Sequence, residues 1–258
     1  MPPEVEAGRS FATVEGVRLE VAWFGGQDDR SPIVLLHEGL GCVGLWKAFP
    51  GELAEATGRR VLAYSRRGYG RSDTLAAPRD PDFMHREALD VLPPLLATLG
   101  IARPILVGHS DGGSIALIHA GACFPLAGVA VMAPHVFVEP FSLAEIRKAR
   151  TAWDITDLRD RLARWHDDPE AAFRGWNDIW LDPRFEAWNI EDCLPRIAVP
   201  LLALQGRDDE YGTLEQIHRI ARACPWTQLV EVDDCRHSPH RDQPAAVLAA
   251  LAAFCAGL

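Results

Sequence analysis

Residues 104–113 read PILVGHSDGG, an apolar run that ends in Gly-x-Ser-x-Gly around Ser110. At a strand-to-helix junction this spacing allows a sharp, strained turn that lifts a hydroxyl clear of the sheet edge. Glycines on either side keep the turn from colliding with the neighbouring strand and helix. The helix that follows points its N-terminal dipole at the same place and favours developing negative charge. The competing reading makes Ser110 a simple N-cap after a glycine-rich loop. A serine hydroxyl attacks a carbonyl only with a base at hand and a carboxylate to orient that base. Gly206-Arg207-Asp208-Asp209-Glu210 follows the apolar run PLLALQ, and Asp233-Asp234-Cys235-Arg236-His237-Ser238-Pro239-His240 follows TQLVEV. Serine, acid and histidine in that order, each after a predicted parallel strand, fall at one edge of a sheet. Asp208, Asp209 and Glu210 compete for the role of the acid. Of the other histidines, His119 reads as packed, His166 and His218 as exposed, and His109 and His240 as packing or capping groups.

The elements that must carry these residues alternate. RSFATVEGVRLEVAWF reads as a hairpin turning at Glu15-Gly16. PIVLLH, RVLAYS, PILVGH, LAGVAVMAP, PLLALQ and TQLVEV read as strands, several of them continuous apolar runs expected of a sheet covered on both faces. Helical stretches separate them: 45–58 ending at Gly58, 83–100 with a kink or split at Pro93-Pro94, GGSIALIHAGA, LEQIHRIARAC and the terminal PAAVLAALAAFCAGL. The pattern predicts a mostly parallel sheet with helices on both sides. Residues 135–196 break it, being helical, charged and holding Trp153, Trp165, Trp176, Trp180 and Trp188, five of the eight tryptophans. An insertion after a strand's carboxyl end sits over the crevice where open α/β sheets bind ligands. It is therefore read as a helical cap, with 1–134 and 197–258 forming the core domain.

The 258-residue chain carries a net charge of −10, which repels a phosphate backbone and argues against nucleic-acid binding. No apolar run approaches the roughly 18–20 residues of a membrane span, and the first residues lack the apolar stretch of a signal peptide. The expectation is a cytoplasmic protein without membrane partners. Cys42, Cys123, Cys193, Cys224, Cys235 and Cys255 are scattered, as reduced, mostly packed thiols would be. No metal-binding set or phosphate-cradling loop is present, so no cofactor is expected.

Taken together, LLHEGLG, YSRRGYGRSD, GHSDGG, GRDD and RHSPHRDQP resemble, in order, five motifs of the α/β-hydrolase superfamily, and the resemblance covers nearly the whole chain. It implies an α/β-hydrolase fold: a mostly parallel eight-stranded sheet flanked by helices, with the cap inserted after strand 6. It further implies Ser110 as nucleophile, Asp209 as triad acid and His237 as base. The backbone N–H groups of Gly39 and Asp111 are then the oxyanion donors. Three residues depart from the family pattern. Glu38 stands where a glycine is usual, and would either pair with Arg66 or Arg67 or face the substrate. Asp111 stands where relatives often carry an uncharged residue, and Ser65 replaces an aspartate.

Serine at the elbow suits acyl transfer to water, on a small-molecule carboxylic ester or thioester. A carbon–carbon bond hydrolase with the same triad is the alternative within the fold, and a non-catalytic ligand-binding protein is the alternative of another class. Trp153, Trp176 and Trp180 are candidate substrate-binding residues for an aromatic or apolar acyl group. The plainer expectation is that three or four of the five tryptophans anchor the cap helices. The basic residues of the cap, from Arg147 to Arg174, would either meet a thioester with a large polyanionic carrier or, since they alternate with acids, form a solvated face.

Overall fold

The computed structural model describes residues 9–25 and 30–258. The chain starts as a hairpin, β1 (Arg9–Val14) and β2 (Val17–Phe24), turning at Glu15 and Gly16 with positive φ at both. β3 (Ile33–Leu36) leads to a 3-10 turn and then α1 (Phe49–Thr57), which stops at Gly58 in the left-handed conformation. β4 (Val61–Tyr64) follows. The helical stretch at 83–100 is divided into α2 (Phe83–Arg86) and α3 (Leu92–Thr98), with a wide π turn at Glu87–Val91 between them. Pro93 and Pro94 have no N–H to offer the carbonyls four residues back, and the chain widens one turn earlier to absorb the loss.

β5 (Ile105–His109), α4 (Asp111–Gly121) and β6 (Gly128–Met132) form one continuous βαβ unit. Between β6 and the next strand run α5 (Pro140–Ile155), α6 (Leu158–Ala163) and α7 (Pro169–Trp180). A single bridge between Phe137 and Asn189 brings the two ends of this insertion together. β7 (Leu201–Gly206), α8 (Glu215–Ala223), β8 (Gln228–Val232), α9 (Pro239–Asp242) and α10 (Pro244–Ala256) complete the chain.

The eight strands form one sheet in the order β1-β2-β4-β3-β5-β6-β7-β8. β2 pairs antiparallel with both β1 and β4, and every pair from β4 to β8 is parallel. Successive strand residues feed opposite cores. Val34, Leu36, Leu62, Leu106 and Val131 pack with α3, α4 and the insertion. Ile33, Leu35, Ala63, Val107 and Met132 pack with α1 and α10. The fully buried strands therefore lack the polar alternation of a one-faced sheet. All six cysteines are free, and Cys123 is the exposed one. Among the described residues no helix is long and apolar enough to cross a membrane.

Candidate active site

Ser110 occupies the turn between β5 and α4 with φ 53° and ψ −121°, a conformation that L side chains rarely adopt. Its N–H donates to the Met132 carbonyl on β6 at 3.0 Å, which holds the turn against the sheet. The flanking glycines are required by contact. A Cβ on Gly108 would lie 2.2 Å from the Gly112 carbonyl oxygen, and one on Gly112 would lie 2.1 Å from that of Leu36 on β3. The Ser110 side chain makes no capping hydrogen bond to α4, so the plain N-cap reading does not describe it.

Its partner is His237. Nε2 of His237 lies 3.0 Å from Ser110 Oγ, and Nδ1 lies 2.8 Å from Asp209 Oδ1. Because a carboxylate only accepts, Nδ1 carries the proton and Nε2 offers its lone pair to the serine hydroxyl. Burial disfavours the charged ring, but the Asp209 carboxylate outweighs it and holds the His237 pKa above the ordinary value. Burial also opposes ionisation of Asp209. The His237 contact and the Tyr211 N–H nevertheless bring its pKa below the usual carboxylate range. The Asp209 oxygens accept further from the Gly212 N–H at 3.2 Å and Gln205 Nε2 at 3.0 Å.

The three neighbouring acids are thus separated by position. Asp208 is exposed. Glu210 accepts the backbone N–H of His237 at 3.1 Å and pairs with Arg236 at 3.3 Å, fixing the histidine loop from the side. His109 holds the same loop from below, its Nε2 donating to the His237 carbonyl at 2.7 Å.

Ser110, Asp111, His237, Gly39 and Glu38 border one cavity of about 140 Å³, lined also by Leu40, His135, Ile146, Trp176, Trp180 and Tyr211. Trp176 lies so close to Gly39 that a Cβ there would meet the indole at 2.2 Å. A larger groove of about 450 Å³ runs between residues 75–79 and α7, and it holds none of Ser110, Asp209 and His237.

The readings of Trp153, Glu38 and His166 need correction, and other expected residues fall as follows. Trp153 does not line the cavity: it stacks on Phe173 with ring centres 4.3 Å apart, because α5 turns that face toward α7. Trp188 stacks on Phe185, and Trp165 lies under Lys47 Nζ at 3.3 Å, so these two also serve as anchors. Glu38 pairs with neither Arg66 nor Arg67. Its carboxylate lies 3.4 Å from Arg241 and 3.5 Å from His109 Nδ1. Burial works against its charge, yet His109 and Arg241 hold it well below the ordinary range. His166 is buried, accepting the Gly70 N–H at 2.9 Å. His218 lies at the surface and pairs with Glu231. Ser65 donates to Glu20 Oε2 at 2.7 Å, so a carboxylate from β2 reaches the place where the family pattern has its own aspartate.

His135 and Tyr211 were not singled out in the sequence. The signal for His135 was its place just past β6, at the strand's carboxyl end. Burial, with the His237 charge beside it, lowers the His135 pKa to about 3, so the ring is neutral. Among the described residues, no three His, Cys, Asp or Glu side chains come together as a metal site requires.

In sequence, the chain is 23% identical over 281 residues to the sn-1-specific diacylglycerol lipase ABHD11 of Danio rerio, covering 95% of this chain and 84% of that protein. In structure it is similar to VinJ, with TM-score 0.79, 23% identity and coverage of 98% and 99% of the two chains. It is also similar to the enol-lactonase of Burkholderia xenovorans LB400, with TM-score 0.73, 24% identity and coverage of 95% and 99%. The structural likenesses establish the fold. The sequence model of the alpha/beta hydrolase family matches residues 33–251, from the first residue of β3 into α10 and through the elbow, acid and histidine loops. The chain belongs to the alpha/beta hydrolase family.

Proposed function

We propose that this hydrolase cleaves a small carboxylic ester or thioester through an acyl-enzyme on Ser110. His237 Nε2 takes the hydroxyl proton as Ser110 Oγ attacks the carbonyl carbon. The tetrahedral oxyanion accepts from the Gly39 and Asp111 backbone N–H groups. Collapse expels the alcohol or thiol, which receives the proton from His237. A water then repeats the sequence on the acyl-serine and releases the carboxylic acid. Asp209 keeps the imidazole oriented and stabilises its charged form. The α5–α7 insertion acts as a cap that limits water and shapes the acyl site.

The observation that carries this reading is the pair of contacts at His237, 3.0 Å to Ser110 and 2.8 Å to Asp209. A cavity of about 140 Å³ is small beside the ~300–1,000 Å³ of drug-sized sites. With Leu40, Ile146, Trp176 and Trp180 around it, it suits a short apolar acyl group. Hydrolysis of p-nitrophenyl and thioester acyl series from two to ten carbons, set beside a dienoate ring-cleavage product, tests the proposal. Highest kcat/KM on the short esters or thioesters, lost in Ser110→Ala, is expected. Turnover of the dienoate alone would move the assignment to carbon–carbon cleavage. Turnover unaffected by Ser110→Ala would end it.

A further inference from the structure

The two proposed oxyanion donors stand on different segments, Gly39 on the loop after β3 and Asp111 at the start of α4. Their spacing must be held closely, because a misplacement of ~1 Å is enough to cost ~100-fold in rate. One side chain touches both segments. Arg66, two residues past β4, is fully buried. Its Nη2 donates to the Glu38 carbonyl at 3.0 Å and to the His37 carbonyl at 3.4 Å, and it lies 3.6 Å from Asp111 Oδ2. Its backbone N–H also donates to His37 Nε2 at 3.0 Å.

The Glu38 carbonyl receives two more donors, His37 Nδ1 at 2.7 Å and the Gly41 N–H at 3.0 Å. A trans peptide is planar, with its C=O and N–H on opposite sides. Pinning the Glu38 oxygen toward Arg66 therefore turns the Gly39 N–H the other way. Gly39 borders the Ser110 cavity, whereas Arg66 and His37 do not, so the other way is the cavity side. His37 fits the same arrangement as a neutral ring. Burial and the Arg66 charge lower its pKa well below the ordinary value, which leaves Nδ1 to donate and Nε2 to accept.

A buried guanidinium needs a counter-charge. Asp111 supplies one, which accounts for an acid immediately after Ser110. Trp180 Nε1 occupies the other oxygen of that carboxylate at 3.1 Å. We propose that Arg66 is a positioning residue for the oxyanion hole, its Nη2 tying the Glu38 peptide to the Asp111 side chain so that both backbone donors aim at one oxygen. This rests on Ser110 acting as the acyl-forming nucleophile.

The test compares Arg66→Met and Arg66→Lys with wild type for kcat and KM on a short p-nitrophenyl ester. It adds the inhibition constant of a trifluoromethyl ketone, whose hemiketal with serine carries the oxyanion. Loss of one oxyanion donor costs about 100-fold or more in kcat, so a fall of about that size is expected for Arg66→Met. Lysine keeps the charge but not the fork, and about tenfold is expected. KM should stay within about threefold, and the ketone should weaken by the factor that kcat/KM loses. A merely structural role would not move ketone affinity and kcat/KM in parallel. A folded variant of either kind with kcat within about threefold of wild type, or with unchanged ketone affinity, would overturn the proposal. Should Arg66→Met fail to fold with the Asp111 carboxylate left unpaired, Arg66→Lys decides. Wild-type turnover that survives Ser110→Ala would instead overturn the underlying nucleophile assignment.

Discussion

The indole N–H of Trp180 donates to Asp111 Oδ1 at 3.1 Å, joining the helical insertion to the residue after the candidate nucleophile. Both side chains are buried. Burial raises the Asp111 pKa above the usual carboxylate range, against the pull of Arg66 and of this N–H. Trp180→Phe keeps a ring in place and removes the donor. Leaving a buried acceptor unsatisfied costs about 1–3 kcal/mol. Urea denaturation should show a loss of that size, and an unchanged midpoint would mean that the contact contributes nothing.

Trp176 and Trp153 should behave differently. Trp176 lines the cavity, and Trp153 is stacked on Phe173 away from it. Trp176→Ala enlarges the cavity proposed to hold the acyl group, so the chain-length optimum on p-nitrophenyl esters should move to longer acyl groups. Trp153→Ala should destabilise by about 3–5 kcal/mol, as core aromatic truncations do, and leave the optimum where it was. A shifted optimum in Trp153→Ala would contradict this placement.

The pH profile has a definite sign. In the proposed mechanism His237 is a base only when neutral, and Asp209 raises its pKa above the ordinary value near 6.5. Activity should therefore fall on the acid side through a kcat/KM limb centred above pH 6.5. Asp209→Asn removes the raising charge, so the limb should move down in pH while kcat drops by about four orders of magnitude. A wild-type limb below pH 6, or an unmoved limb in Asp209→Asn, would break the link between the two residues.

Glycine replacements separate contact from propensity. Gly112→Ala drives a Cβ to 2.1 Å from the Leu36 carbonyl, backbone against backbone in the middle of the fold. It should cost at least about 3 kcal/mol, the upper end for overpacking. Gly51→Ala on α1 meets nothing within 4 Å and should be neutral or stabilising by up to about 1 kcal/mol. Thermal unfolding of both variants reads the difference.

Local signals made much of this architecture legible. The central strands β3 to β7 are apolar runs of their own, and the elbow glycines stand out because a side chain on them would touch backbone. What stayed hidden was set by partners far along the chain. Glu38 meets Arg241, 203 positions away, and no local pattern announces that pair. His166 follows a charged helix and reads as exposed, yet it docks between Gly70 and Leu40. The helical period places Trp176 and Trp180 on one face of α7. It does not say that α5 turns Trp153 away from the cavity, which is a matter of packing between helices.

The central claim is that Ser110 is the nucleophile. Incubation with a fluorophosphonate probe followed by intact-mass and peptide analysis tests it most directly. The account predicts one adduct per wild-type chain, on Ser110, and none on folded Ser110→Ala. A folded wild type that takes up no probe, or an adduct that persists in Ser110→Ala, would contradict it.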